Sequence, residues 1–331
     1  MAVYTTVERD ELTTFLAAFA AGELEHFEGI SDGIENTNYF VTTNRGRFVL
    51  TLFEKLSARD LPFYIELMAF LAARDVPSAM PSRDRRGRML GSLCGRPALL
   101  VERLTGKSVS RPNETHCHGV GGLMGRLHVV AKSFPLQKTD DRGRTWRVRT
   151  AQRVAHHLSA EHKELLNDEM RYQAGLDFSA APSGIIHSDL FRDNVLFESD
   201  QVSGVIDFYY ACNFLLAYDL AVAVNDWCSK DDGNLDESRT TALLTGYFSQ
   251  RQPHAAEAEL WPGLMRYAAL RFWLSRLKDE CFPRAGSITR IKDPDEFLRV
   301  LLNRREQPEL LAELWQSAAD ATALGNARAS N

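Results

Sequence analysis

The first hundred residues alternate between helix-like and strand-like patterns of apolar side chains. Apolar residues between positions 12 and 19 recur at the three- and four-residue spacing of one helix face. Thr5 and Glu8, just before them, have the spacing of a capping box. Residues 39–43 and 48–53 are strand-like runs separated by a short polar loop, which predicts a β-hairpin after the first helix.

A second helix and further strands are predicted to follow this hairpin. Asp60 is placed to cap a helix over residues 60–73, and the first turn of that helix tolerates Pro62. Two short strand-like runs flank the polar stretch at 85–88, and the apolar run at 98–102 has the character of a buried strand. The first hundred residues therefore predict a small antiparallel sheet with one embedded helix.

The pattern becomes mainly helical after the first hundred residues. The first apolar stripe of this part consists of Val120, Leu123, Met124 and Leu127. Residues 183–208 interrupt the helices with short β-like runs, and helical periodicity then returns. We therefore predict an α+β fold with an N-terminal lobe at 1–101, a connector at 102–106 and a larger, mainly helical C-terminal lobe at 107–331.

Composition and charge exclude several classes of protein. The formal net charge is −5 and the pI is about 6.0, which does not provide the basic face that nucleic acids need. No apolar run approaches the roughly 18 residues of a membrane span, and the N-terminus lacks the basic region of a signal peptide. The five cysteines are scattered and never spaced as C-x-x-C, which favours a reduced, cytoplasmic protein without a zinc site or a disulfide framework.

One polar stretch has the residues that phosphoryl transfer requires. His187, Asp189 and Asn194 form the pattern H-x-D-x-x-x-x-N, and Asp207 follows thirteen residues later between apolar neighbours. Phosphoryl transfer needs a carboxylate that orients the attacking hydroxyl, and it needs a second carboxylate and an amide oxygen that hold a metal ion at the phosphates. A hairpin between Asn194 and Asp207 would bring these oxygens together. The spacing therefore favours a kinase active site that works mainly by positioning and electrostatics.

These residues resemble the catalytic loop and the metal-binding segment of the aminoglycoside phosphotransferase-like kinases, which are relatives of protein kinases. The resemblance covers most of the chain. It implies a two-lobed, protein-kinase-like fold, with ATP as the phosphoryl donor and Mg²⁺ as the metal. It also implies that Asp189 is the catalytic base and that Asn194 and Asp207 bind Mg²⁺.

Two further segments carry the same resemblance. Residues 218–221 resemble the D-L-A segment of the family, and residues 123–128 resemble the helix that ends in L-x-x-L-H. In the family the acidic residue of the first segment braces the catalytic loop. We therefore expect His187 and Asp219 to support that loop rather than to react.

The nucleotide side of the site departs from the family pattern, because the usual phosphate-binding lysine is absent from its strand. Thr51 occupies its place, and Lys55, four residues on, either reaches the phosphates or is a solvated surface lysine. Glu66 is either the partner carboxylate or a surface residue, and the loop at 29–38 either covers the phosphates or is a plain hairpin turn. The predicted ATP contacts are Gly29, Gly33, Thr51, Lys55, Glu66, Glu102 and Leu104.

Within the family, residues 48–54, 187–194 and 271–277 are most similar to the bacterial homoserine kinases. The implied reaction converts L-homoserine and ATP to O-phospho-L-homoserine and ADP, a step toward threonine. An amino-acid acceptor needs a cation for its carboxylate, and we expect Arg271 to provide it unless this arginine pairs with a neighbouring helix. The predicted acceptor contacts are Asp226, Trp227 and Arg271.

Several alternatives stay open at this point. The acceptor is alternatively choline, methylthioribose, hydroxylysine or an aminoglycoside, and a polycationic aminoglycoside would need a pocket lined with acids. A regulatory pseudokinase that binds nucleotide is the alternative from another class. The missing lysine supports it, whereas Asp189, Asn194 and Asp207 argue against it. We expect a monomer or a homodimer that acts on a small molecule and binds neither nucleic acid nor membrane.

Overall fold

The computed structural model describes residues 4–30, 35–283 and 292–329, with side chains as far as Gly325. It contains two compact units. The first consists of the described residues up to Thr105 together with Gly204–Ile206. The second consists of Gly106–Ser203, Asp207–Pro283 and the described residues from Lys292 onward. The predicted lobe boundaries and the connector at 102–106 stay a prediction.

The first unit is a five-stranded antiparallel sheet with two helices. Its elements are α1 (Arg9–Ala18), β1 (Leu24–Gly29), β2 (Thr37–Thr43), β3 (Gly46–Leu52), α2 (Pro62–Ala72), β4 (Leu90–Leu93) and β5 (Arg96–Glu102). The strand order is β1-β2-β3-β5-β4, and each neighbouring pair is antiparallel. The hairpin of β2 and β3 forms as predicted, and α1 and α2 correspond to the two helices predicted around residues 12–19 and 60–73.

The apolar pattern explains how this unit forms its core. Along β2 fully buried residues alternate with half-buried ones, as expected for a strand with one face on a core. Tyr39 and Val41 lie on the buried face, in one cluster with Leu12 and Leu16 of α1. Complete burial of each such apolar side chain contributes about 1.5–3 kcal/mol. The helix predicted around residues 12–19, which forms as α1, therefore packs against one face of the sheet.

Three local predictions in this unit are wrong. The first helix begins at Arg9 with Glu8 as its N-cap, because the Thr5 hydroxyl donates to Glu54 at 2.7 Å instead of capping. Asp60 does not cap α2 either, since its carboxylate accepts the backbone N–H and the hydroxyl of Ser57. Of the two strands predicted around 85–88, only the second forms, as β4.

The second unit is mainly helical. Its elements are α3 (Glu114–Ala131), α4 (Arg144–Val154), α5 (Ala160–Ala174), β6 (Ser183–Ile186), β7 (Val195–Glu198), β8 (Gln201–Val205), β9 (Cys212–Leu215), α6 (Leu216–Trp227), α7 (Glu237–Phe248), α8 (Ala255–Cys281), α9 (Pro294–Glu306) and α10 (Pro308–Ala329). The end of β8 belongs to the first unit. β6 pairs antiparallel with β9, and β7 pairs with β8 in a hairpin.

Buried helices position the short strands of this unit. Every residue of α6 is buried, and the 27-residue helix α8 packs beside it and beside α9. The strands β6 and β9 therefore pack against α6, and β6 also packs against α3. Together the two units confirm the predicted α+β fold. Among the described helices, none has the length and apolar character needed to cross a membrane.

Candidate active site

The catalytic loop lies between β6 and β7 and is anchored by buried apolar residues at both ends. Ile186 ends β6 and Val195 begins β7, and neither side chain is exposed. Asp189 lies between them with 20% of its side chain exposed. The amide nitrogen of Asn194 donates to the backbone oxygen of Asp189 at 2.8 Å and lies 3.4 Å from its carboxylate Oδ2. The loop therefore brings two of the predicted site residues into direct contact.

A buried arginine from α8 contacts the other oxygen of the Asp189 carboxylate. One guanidinium nitrogen of Arg271 donates to Asp189 Oδ1 at 3.2 Å and to the carbonyl oxygen of Ser188 at 3.1 Å. Burial lowers the pKa of Arg271, but Tyr218 and the Asp189 carboxylate outweigh this effect, so the pKa lies above its ordinary value. The structure thus places Arg271 behind the catalytic carboxylate, and its contact with an acceptor stays a prediction.

A second carboxylate, that of Asp219 in α6, holds the backbone of the same loop. It accepts the backbone N–H of His187 at 2.9 Å and that of Ser188 at 2.6 Å. Ser188 has a φ of +66°, a left-handed conformation that is strained for a residue with a side chain. Burial raises the pKa of Asp219, but the hydrogen bond from His128 and the proximity of His187 outweigh it, and the pKa is lowered. Asp219 is therefore an anion that fixes a strained turn.

The hydrogen-bond chain continues from Asp219 to α3 and α7. His128 Nε2 lies 3.1 Å from Asp219 Oδ2, and His128 Nδ1 lies 2.9 Å from the hydroxyl of Tyr247. In the neutral imidazole with its proton on Nε2, that nitrogen donates to the ionised Asp219, and Nδ1 accepts from the Tyr247 hydroxyl. Arg251 donates to the Tyr247 oxygen at 3.3 Å. The resemblance of residues 123–128 to the family's L-x-x-L-H helix marks His128 in the sequence, whereas no local pattern marks Tyr247.

Asp226 and Trp227, predicted to contact the acceptor, hold the catalytic loop further along the chain, at residues 190 and 192. The Asp226 carboxylate accepts the backbone N–H of Arg192 at 2.7 Å and its guanidinium Nε at 3.1 Å. Burial raises the pKa of Asp226, and the nearby Arg192 only partly reverses this effect. The indole N–H of Trp227, whose side chain is fully buried, donates to the carbonyl oxygen of Leu190 at 2.9 Å. Arg192 is a loop residue that sequence reasoning missed.

The residues predicted to bind metal lie at the two ends of one hairpin. Asn194 precedes β7, and Asp207 follows β8 in a left-handed conformation with φ +63° and an exposed side chain. Since Asp189 occupies the amide nitrogen of Asn194, the amide oxygen is the atom left to face a metal. One carboxylate and one amide oxygen suit Mg²⁺, which takes further oxygens from phosphates and water. The donor set therefore fits magnesium, although the described part of the chain contains no cluster of three acidic, histidine or cysteine ligands.

The predicted nucleotide contacts of the first unit lie on its strands and loops. Thr51 is buried in β3, and its hydroxyl donates to the Asn38 amide oxygen at 2.7 Å. β3 ends at Leu52, so Lys55 is not on the strand, and its Nζ lies 3.5 Å from Glu35 Oε1. Glu66 is an exposed residue of α2.

The remaining predicted contacts of this group lie at the ends of strands or outside the described residues. Gly29 ends β1 and Glu102 ends β5, while Leu104 is half-buried beyond β5. Gly33 lies outside the described residues. The nucleotide contacts of this unit therefore stay predictions.

Comparison with known proteins gives a match over most of the chain. Residues 26–256 match the model of the family described as "Phosphotransferase enzyme family". The homoserine kinase of Methylobacillus flagellatus is 45% identical over 96% of this chain and 100% of that protein. The homoserine kinase of Pseudomonas aeruginosa is 44% identical over 94% of this chain and 98% of that protein. The similarity therefore spans both compact units.

A solved structure with a similar fold is much more distant in sequence. The amicoumacin kinase hAmiN, in complex with AMP-PNP, Ca²⁺ and Ami, superposes with a TM-score of 0.66 and 14% identity. The match covers 91% of this chain and 94% of that one. At this identity the likeness shows the fold alone. It confirms the kinase-like fold that the catalytic-loop motif implies.

Proposed function

The chain belongs to the phosphotransferase enzyme family, and we propose that it transfers the γ-phosphoryl group of ATP to the side-chain hydroxyl of L-homoserine. The observation that carries this proposal is its similarity to homoserine kinases over nearly the whole length of both proteins. The products would be O-phospho-L-homoserine and ADP. The cytoplasmic location and the monomeric or homodimeric state stay predictions.

The geometry around Asp189 supports the role of a base that orients the hydroxyl. Arg271 contacts Oδ1, and Asn194 approaches Oδ2 only at 3.4 Å, so Oδ2 is available to a hydroxyl group. In the proposed reaction the acceptor hydroxyl donates its hydrogen bond to this carboxylate. As the new oxygen–phosphorus bond forms, the proton moves to Asp189 and ADP leaves with the bonding electrons of the broken phosphoanhydride. Arg271 keeps the carboxylate in one orientation throughout.

Asn194 and Asp207 would hold a magnesium ion through an amide oxygen and a carboxylate. When bound, the ion would neutralise charge on the phosphates of ATP. The hairpin of β7 and β8 separates the two residues in sequence and returns the chain toward its start. Asp219 fixes the loop that begins this arrangement by accepting two of its backbone N–H groups.

The direct test is ADP release from magnesium ATP with a panel of acceptors. We expect rapid turnover with L-homoserine and little with choline, methylthioribose, hydroxylysine or kanamycin. Phosphorus NMR of the product should show a phosphate monoester on the homoserine side chain. Asp189→Asn should lower kcat by roughly 10²- to 10⁴-fold, as expected for the loss of a general base.

The neighbouring Asp193 provides a matched control. Its carboxylate is mostly exposed and pairs with Lys292 at 2.8 Å, so Asp193→Asn should keep nearly all activity. Turnover with another acceptor and none with homoserine would overturn the proposed substrate. ATP binding without turnover of any acceptor would overturn the proposed reaction and favour the regulatory pseudokinase.

A further inference from the structure

Two partly buried side chains of opposite charge lie on the segment before α4 without an ionic partner. Asp140 and Arg142 form no salt bridge with any residue that the structure describes, whereas Lys138 and Asp141 on the same segment pair at 2.8 Å. Unpaired charges that are partly shielded from water are costly unless something compensates them. The segment therefore has two charges that no opposite charge among the described residues balances.

The backbone of this segment fixes both charges beside β9. Asn213 of β9 accepts from the N–H of Lys138 at 2.8 Å and donates its own N–H to the carbonyl oxygen of Lys138 at 2.7 Å. Thr139 pairs with Asn213 in a parallel bridge. Asp140 then accepts the backbone N–H of Arg142 at 2.7 Å, which closes a tight turn before α4. The two charged groups thus have fixed positions next to the strand that pairs with β6.

The guanidinium of Arg142 reaches the turn that follows Asp207. It donates to the hydroxyl of Tyr210 at 3.2 Å and lies 5.0 Å from the ring centre of Trp146. The ring of Tyr210 lies 5.3 Å from the guanidinium carbon of Arg271, which contacts the Asp189 carboxylate. One tyrosine ring therefore separates Arg142 from the arginine that holds the catalytic base.

The carboxylate of Asp140 faces the same region. Its Oδ2 atom is buried and has no hydrogen-bond partner among the described residues. The negative charge of Asp140 is one of the influences that raise the pKa values of Arg271 and Tyr218, so it acts on the surroundings of the catalytic base. A buried carboxylate oxygen without a donor is an incomplete site that a cationic ligand group would complete.

Arg271 and Arg147, two other arginines near the site, are almost fully buried, whereas Arg142 is only half-buried. Arg271 donates to Asp189 and Ser188, and Arg147 is buried, donates to the carbonyl oxygen of Tyr267 at 2.6 Å and stacks on its ring. Arg142 uses one guanidinium nitrogen in a hydrogen bond to a side chain and keeps its other donors. It is the arginine of this group that suits a planar, bidentate carboxylate.

We infer that Arg142 binds the carboxylate and Asp140 the ammonium group of the amino-acid acceptor. This inference rests on the proposed function, because it assumes an acceptor that carries both charges. It replaces Arg271 by Arg142 as the residue that recognises the substrate. It also gives a reason for specificity toward amino acids. One positive and one negative side chain match the two opposite charges of the acceptor, so neither charge is repelled.

The test compares L-homoserine with two acceptors that each lack one charge. 3-Aminopropan-1-ol has no carboxylate, and 4-hydroxybutanoate has no ammonium group. Arg142→Gln should lower kcat/KM for L-homoserine roughly 30-fold, because the charge-assisted hydrogen bond to its carboxylate is lost. The same change should leave kcat/KM for 3-aminopropan-1-ol unchanged, because that acceptor has no carboxylate. Asp140→Asn should lower kcat/KM for L-homoserine to a similar extent and leave that for 4-hydroxybutanoate unchanged.

Two neighbours on the same segment are matched controls. Arg144→Gln changes an exposed arginine, and Asp141→Asn changes the acid that pairs with Lys138, so neither should alter the ratio between acceptors. The ratio is measured within one variant, so partial unfolding cancels. An unchanged ratio in Arg142→Gln with active wild-type enzyme would overturn the inference and leave the proposed function intact. Absence of homoserine turnover in the wild type would overturn the proposed function, and the inference with it.

Discussion

Both oxygens of the Asp189 carboxylate have side-chain neighbours, with Arg271 at Oδ1 and Asn194 at Oδ2. The contact from Arg271 is charge-assisted and therefore stronger than one between neutral groups. Arg271 also binds the Ser188 carbonyl oxygen, so the same guanidinium fixes the loop backbone and the side chain. This arrangement fixes the orientation of the carboxylate. A small change in that orientation should lower the rate of phosphoryl transfer more than it lowers the affinity for the substrate.

Replacement of Arg271 should therefore lower kcat and leave both Michaelis constants nearly unchanged. We expect Arg271→Ala to lower kcat roughly 100-fold, because Asp189 loses its fixed orientation. Arg271→Lys should restore part of the rate, since it keeps the charge but not the geometry of a guanidinium. Steady-state kinetics with varied ATP and varied L-homoserine separate these constants. A raised KM for L-homoserine at unchanged kcat would contradict the positioning role and support the predicted contact with the acceptor carboxylate.

The residues proposed for the chemistry could be predicted because their spacing is local. One loop and one hairpin separate Asp189, Asn194 and Asp207, so a short pattern contains all three. The residues that hold them could not be predicted in the same way. Asp226 binds a residue 34 positions away, and Tyr247 binds one 119 positions away. Such contacts depend on the packing of whole helices, which no local pattern records.

At the scale of elements, the helices α3 and α7 bring Tyr247 to His128 by an unusually close approach. A Cβ atom on Gly246 of α7 would overlap the carbonyl oxygen of His118 in α3. A Cβ atom on Gly121 of α3 would likewise overlap the carbonyl oxygen of Leu243. The two backbones touch because both helices have glycine at the crossing. This contact sets the positions of Tyr247 and His128, whose hydrogen bonds lead to Asp219.

Gly246→Ala should destabilise the second unit although alanine favours helix. The overlap with His118 forces the helices apart at a cost of about 1–3 kcal/mol, which exceeds the gain of at most about 1 kcal/mol in helix propensity. Gly122→Ala is the matched control, because its nearest neighbour would be the Gly246 carbonyl oxygen at 3.8 Å, an ordinary contact. Urea unfolding followed by circular dichroism measures both. Equal stability of the two variants would contradict the proposed backbone contact.

The boundaries of an element could be predicted where the local sequence favours a single backbone conformation. Residues 44 and 45 are a polar turn between two β-rich runs, and the hairpin of β2 and β3 forms around them. The strand predicted before residue 85 does not form, because the Asp84 carboxylate accepts the backbone N–H groups of Arg86 and Arg88 and organises a turn there. A side chain that bonds to its own backbone competes with strand pairing.

At the scale of the whole molecule, the fold places few limits on the acceptor. The amicoumacin kinase hAmiN shares this fold at 14% identity, while homoserine kinases are similar at 44–45%. One framework can therefore hold sites for different acceptors, as is general for widely used folds. The α+β architecture follows from apolar periodicity, but the acceptor depends on a few side chains such as Arg142 and Asp140. The sequence alone shows these two as an ordinary charged segment.

The C-terminal helix α10 connects to this framework through a cluster of large aromatic rings. Trp315 is 2% exposed, with ring centres 4.9 Å from Trp261 of α8 and 4.8 Å from Phe248 of α7. Phe248 is adjacent to Tyr247, so the cluster lies next to the hydrogen-bond chain that reaches the catalytic loop. The stability of α10 is therefore coupled to the position of α7.

Trp315→Ala should lower the free energy of unfolding of the helical unit by about 3–5 kcal/mol, the usual cost of removing a buried tryptophan. Because folded domains are stable by only about 5–15 kcal/mol, this loss would be visible as a clear shift of the urea midpoint at 222 nm. Leu324→Ala on the same helix is the matched control, since its side chain is 64% exposed and should contribute little. We also expect a lower kcat for Trp315→Ala, because α7 loses its support behind Tyr247. Unchanged stability and an unchanged kcat would show that the packing of α10 does not contribute to the stability of the helical unit or to the position of Tyr247.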